Sequence, residues 1–116
     1  MKLMGSKAEQ EFRDELRRTH EFHFSTQTKS RLKEVLQLAG YKTDNAYILH
    51  WTPDQSDDFY TVLIDGAFLV AVEIDRYEID LTPTCKRFEM PEYLKGLSRM
   101  DQIRLLVARD LSIQKT

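Results

Sequence analysis

The chain has 116 residues, 41% of them hydrophobic and 31% charged, with a formal net charge of −2. That length supplies one domain with a core of its own, and that balance excludes a largely disordered chain. No apolar run approaches the ~20 residues that cross a bilayer, and no hydrophobic segment follows the N-terminal lysine as in a secretory signal. The only cysteine, Cys85, cannot form an internal disulfide, so the expected location is the reducing cytoplasm.

The net charge conceals a strong asymmetry. Residues 1–42 carry nine Lys/Arg against six Asp/Glu, and residues 83–116 carry seven against four. Between them, residues 43–82 carry nine acids and one basic residue, Arg76. An acidic middle between mildly basic flanks can steer a charged partner or hold the layers of a fold together.

In chain order, Ser6 and Glu9 match a capping box, and Ala8, Phe12 and Leu16 follow at helical spacing. The pattern predicts a first amphipathic helix. A second is predicted from near Ser25 or Thr28 through Leu32, Val35, Leu36 and Ala39, closed by Gly40. From Tyr47 the pattern becomes that of strands. Residues 47–51 form the first, stopped by Thr52 and Pro53, and residues 53–58 read as a polar loop. Residues 59–64 form the second strand, Asp65-Gly66 signals a two-residue hairpin turn, and the third strand runs on from Ala67. A short edge strand is expected at residues 86–90, then a short helical segment opened by Pro91. A final helix capped by Ser98 carries Met100, Ile103, Val107 and Leu111 on one stripe. The expected architecture is a single α+β domain over residues 1–116, with two N-terminal helices, an antiparallel meander of three to four strands and a C-terminal helix.

Counting outward from the predicted turn pairs Ile64 with Ala67, Leu63 with Phe68 and Phe59 with Val72. Both faces of that hairpin are then apolar near the turn. A half-exposed sheet alternates more cleanly, so either helices cover both faces or a second copy covers one. A homodimer is the expectation.

The repeat Glu73-Ile74-Asp75-Arg76-Tyr77-Glu78-Ile79-Asp80 breaks the alternation of the third strand. A β-bulge at Arg76 or Tyr77 would place Glu73, Asp75, Glu78 and Asp80 on one face, with a strand break as the alternative. Carboxylates so close repel one another unless a cation or a basic partner neutralises them. Residues two apart on a strand lie ~6.5–7 Å apart, however, which suits a contact surface better than one ion. The expected binding surface is therefore Asp54, Asp57, Asp58, Glu73, Asp75, Glu78 and Asp80, facing a basic protein or a cationic ligand, without a cofactor and without nucleic acid.

Two other readings stand beside this one. The αβββα order, with Asp65 ending one strand and Glu73-x-Asp75 on the next, resembles the topology of PD-(D/E)xK nucleases. That resemblance implies a divalent-metal phosphodiesterase with Asp65 and Glu73 as ligands, although Asp75 stands where the family places its lysine. A purely structural dimerisation module is the third reading. His20 and His23 read as histidines ending the first helix. Cys85 reads as a buried or loop thiol, and Arg17, Arg18, Lys29, Arg31 and Lys33 as solvated helix faces.

Overall fold

A computed structural model describes residues 3–25, 27, 29–77 and 82–114. Helix α1 spans Lys7–Phe24 and opens on the expected capping box. Ser6 Oγ accepts from Glu9 N at 3.2 Å, while the Glu9 carboxylate accepts from the amides of Met4, Gly5 and Ser6 at 2.9, 3.0 and 3.3 Å. These donors, the Met4 amide foremost, hold the Glu9 pKa below the usual carboxylate value. The buried stripe reaches two turns further than predicted, through Leu16 and His20 to Phe24.

Helix α2, Arg31–Leu38, starts later than expected, with Ser30 as N-cap. It closes at Gly40 as predicted, Gly40 N donating to Gln37 O and Tyr41 N to Leu36 O. Four strands follow: β1 Ala46–Asp54, β2 Asp57–Ile64, β3 Phe68–Asp75 and β4 Thr84–Glu89. They form one antiparallel meander in the order β1-β2-β3-β4. Helix α3, Met90–Leu94, has Pro91 in its first turn, and α4 spans Arg99–Gln114. Ser98 caps α4 by accepting from Asp101 N at 3.1 Å. Its packed stripe is Leu105, Val107, Ala108, Leu111 and Ser112, whereas Met100, expected on it, is exposed. The α+β architecture expected from the sequence is the one observed, and no described helix is long and apolar enough to cross a membrane.

Strand boundaries and register depart from expectation in three places, each with a physical reason. Pro53 does not end β1. That strand lies at the sheet edge, where a missing N–H interrupts no ladder, so Pro53 pairs with Asp58 and Asp54 with Asp57 around a turn at Gln55-Ser56. At the next turn Asp65 and Gly66 take positive φ as predicted, and Ala67 N donates to Ile64 O at 3.0 Å. Ala67 is nevertheless an extra residue, and the ladder pairs Ile64 with Phe68, Leu63 with Leu69 and Phe59 with Glu73. A slip of one residue exchanges the faces of a strand. Third, β3 ends at Asp75, and residues 78–81, which the expected bulge would have carried on, lie outside the described residues. Asp75 Oδ1 accepts from Tyr77 N at 2.8 Å and Arg76 N donates to Ser56 O at 2.8 Å, which turns the chain out of the sheet.

The corrected register gives the sheet two apolar faces. On one, Ala46, Ile48, Val62, Ile64, Val70, Val72 and Ile74 pack against Phe24 of α1 and Leu32, Val35 and Leu36 of α2. On the other, Tyr47, Leu49, Leu63 and Leu69 pack against Phe12 and Leu16 of α1 and Leu105, Ala108 and Leu111 of α4. The apolar second face that pointed to a second copy is thus covered by helices of the same chain. The outer edge of β1 is also engaged. His20 Nδ1 lies 2.6 Å from Ala46 O, which makes Nδ1 the protonated ring nitrogen, and Arg104 Nη1 donates to Leu49 O at 2.8 Å.

Candidate binding surface at the open end of the sheet

On the face that carries α1 and α4, the helices cover the sheet near the Asp65-Gly66 turn and leave its other end open. Side chains directly opposed across an antiparallel ladder share a face. Asp54 opposes Asp57, Asp57 opposes Asp75, and Glu73 precedes Asp75 by two residues. Asp54, Asp57, Glu73 and Asp75 therefore stand on one face, the one that carries α1 and α4 further up. Opposed side chains are ~4.5–5.5 Å apart at Cβ. Phe59, opposite Glu73 and 38% exposed, lies among them. A shallow depression of about 250 Å³ is bounded by Asp57, Glu73, Asp75, Thr82 and Thr84.

Electrostatics at this end are those of a crowded acidic patch. Glu73 is held above the usual carboxylate pKa, first because it shares a hydrogen bond with Asp57, then through desolvation and the Asp57 charge. Thr84 Oγ1, donating to Glu73 Oε2 at 3.4 Å, opposes the shift weakly. Among the described residues, Asp54, Asp57 and Glu73 carry no ion pair.

Asp58 is the member of the expected set that lies elsewhere. The extra residue at Ala67 puts it on the opposite face, opposed to Ile74. There its Oδ1 accepts from Arg76 Nη1 at 2.9 Å and from Trp51 Nε1 at 3.1 Å. Glu78 and Asp80 lie outside the described residues. Asp65, assigned to a metal in the phosphodiesterase reading, is at the far end of the β2–β3 hairpin from Glu73 and Asp75, its amide donating to Asn45 O. The geometry does not bring Asp65 and Glu73 to one ion, and the described residues hold no group of three or more potential metal ligands.

Two further constellations carry titratable groups that sequence reasoning left unconnected. On the face bearing Asp58, a cleft of about 360 Å³ gathers His23, Arg31, Tyr60 and Arg76. No local signal joins them, because the register decides which side of β2 faces α1 and α2. On the other face, His50 Nε2 lies 2.8 Å from the Tyr93 hydroxyl and 3.8 Å from Asp101 Oδ1. Burial, with the Asp101 charge second, pushes Tyr93 up to about 12, so its hydroxyl keeps its proton, and the imidazole tautomer sets which of the two groups donates. Comparison with family models, curated proteins and solved structures finds no match for this chain.

Proposed function

We propose that this protein is a binding module whose acidic sheet end docks a basic segment of a protein partner. One observation carries the reading. Asp54, Asp57, Glu73 and Asp75 stand on one open face with Glu73 already held above its ordinary pKa by Asp57. Lysine or arginine side chains placed there relieve a repulsion that exists in the free protein, so the gain on binding exceeds that of an isolated surface ion pair. Phe59, 38% exposed and opposite Glu73, stands on the same face. Aromatic side chains beside an acidic patch are the composition of a protein contact. A second copy of the chain fits this surface poorly, because a two-fold contact would oppose like charges. The reading needs neither a homodimer nor a cofactor.

The test is calorimetric titration with a lysine- and arginine-rich peptide across a range of salt concentrations. Binding should weaken as salt rises, and Asp57→Asn with Glu73→Gln should weaken it further and flatten the salt dependence. Glu92→Gln, a neutralisation on α3 away from this surface, is the control. Equal loss in the control and in the double variant would remove the assignment of the surface.

A further inference from the structure

Where the β2–β3 turn meets the end of α4, the surface sinks into a cavity of about 330 Å³ bounded by Asn45, Asp65, Gly66, Arg109, Ser112 and Ile113. That volume falls in the range of ligand pockets, ~300–1,000 Å³. Short links between three parts of the chain hold its walls. Asp65 N donates to Asn45 O at 3.1 Å, and Asn45 Nδ2 donates to Ser112 O at 3.1 Å. Gly66 comes so near α4 that a Cβ there would lie 3.2 Å from Ser112 Cβ. The frame of the cavity is therefore set before anything enters it.

Charge around this cavity is present in both signs and unpaired. Asp65 and Arg109 are exposed, and neither side chain has an ion pair or a hydrogen bond among the described residues. The wall beside Asp65 holds a third unsatisfied group. Asn45 is only 9% exposed, and its Oδ1 is buried with no hydrogen-bond partner among the described residues. The orientation of that amide is fixed, because the atom bonded to Ser112 O must be the donor nitrogen. An orphaned buried acceptor is costly unless a donor arrives. The last turn of α4 carries no basic side chain, so the negative end of its peptide dipoles adds to the same demand. Asp65, Asn45 Oδ1 and the end of α4 thus call for a positive group with N–H donors. Arg109, earlier on the same helix, calls for a carboxylate.

We propose that this cavity binds a free amino acid, its ammonium on Asp65 and Asn45 Oδ1, its carboxylate on Arg109 and its side chain along Ile113. A guanidinium takes a carboxylate through two parallel N–H bonds, and the three donors of an ammonium serve a carboxylate and an amide oxygen together. A simple anion would leave Asp65 and Asn45 Oδ1 unanswered, and a simple cation would leave Arg109 so. The site shares no residue with the acidic surface, which lies at the other end of the β2–β3 hairpin.

Amide shifts in a two-dimensional NMR titration of the full chain test it, with glycine, leucine and phenylalanine as probes. The amine and the carboxylic acid that each lack one of the leading probe's two charged groups are titrated beside it. Saturable shifts are expected from at least one amino acid at residues 44–46, 64–67 and 109–113, and the tightest of the three sets the size of the side chain. Arg109→Gln and Asp65→Asn should each weaken that binding about tenfold or more, the size of one lost charge-assisted contact. Both variants keep the fold, because Arg109 is exposed and Asn tolerates the left-handed conformation (φ 54) that Asp65 holds. Four results would overturn the proposal: no saturable shift from any amino acid, shifts centred elsewhere on the surface, a single-charge analogue binding as tightly as its amino acid, or unchanged binding in Arg109→Gln.

Discussion

Gly66 and Gly96 share a backbone conformation and differ in surroundings, which makes them a matched pair. Both have φ +67, but a Cβ on Gly96 would meet nothing within 4 Å, whereas one on Gly66 would lie 3.2 Å from Ser112 Cβ and 3.6 Å from Ser112 Oγ. A left-handed conformation costs an L residue ~1–2 kcal/mol, partly offset by ~0.4–1 kcal/mol because alanine restricts the unfolded chain. Gly96→Ala should therefore destabilise by roughly 1 kcal/mol. Gly66→Ala carries the same backbone cost, and it also forces the turn away from α4, where overpacking adds ~1–3 kcal/mol. The expected total is roughly 2–4 kcal/mol, or a fall in Tm of ~8–16 °C at about 4 °C per kcal/mol for a chain of this size. Urea denaturation of both variants, read at the midpoint with the slope held fixed, gives the difference directly. Equal midpoints would mean that the Asp65-Gly66 turn does not press on Ser112, and the seating of α4 on this hairpin would have to be redrawn.

Three further outcomes are expected. Deleting Ala67 removes the extra residue that sets the β2–β3 register, so either the chain fails to fold or its faces exchange, and a folded variant with unchanged amide shifts along β3 would contradict the register. Asp57→Asn should bring the Glu73 titration down toward the ordinary value of 4.5, measured by the carboxyl carbon shift, and an unmoved midpoint would place the two carboxylates too far apart to interact. Burial holds His23 and His50 below the ordinary histidine value of 6.5, so the native state binds fewer protons there than the unfolded chain. Stability is then full above pH 6.5 and falls as pH drops below it, through His23 by burial and through His50 by burial, with the Asp101 charge opposing and the Arg104 charge reinforcing the effect. Glu9 shares that sign but acts below 4.5, whereas Glu73 has the opposite sign, so the scan is run on Glu73→Gln, where a Tm flat from pH 6.5 to 4.5 would refute the histidine assignment.

The parts of this fold that local chemistry decides were legible. The Ser6–Glu9 box, the Gly40 closure, Pro91 and the Ser98 cap each depend on residues within a turn of one another. The parts decided by counting across space were not. Asp65-Gly66 announces a turn, but nothing local to it shows that Ala67 joins the loop, and that one residue determines whether Asp57 or Asp58 stands with Glu73. Pro53 looked like a terminator because the edge position that tolerates it is a property of the whole sheet. Of the seven acids expected together, Asp54, Asp57, Glu73 and Asp75 share a face, Asp58 stands on the other, and Glu78 and Asp80 lie outside the described residues. The cleft at His23, Arg31, Tyr60 and Arg76 was not found at all, since its residues come from four separate elements and turns.

The side chains on the rim of β1 have a consequence for how copies of this protein can associate. With Ala46 O and Leu49 O engaged and Pro53 lacking an N–H, that border offers an incoming strand few unfilled positions. β4 forms the other border, and it bears Lys86 and Arg87. If two molecules join border to border through β4, the resulting eight-stranded sheet presents a β1 rim at each extremity. A further strand added to that rim would have to displace His20 from Ala46 O and Arg104 from Leu49 O, which disfavours growth beyond the pair.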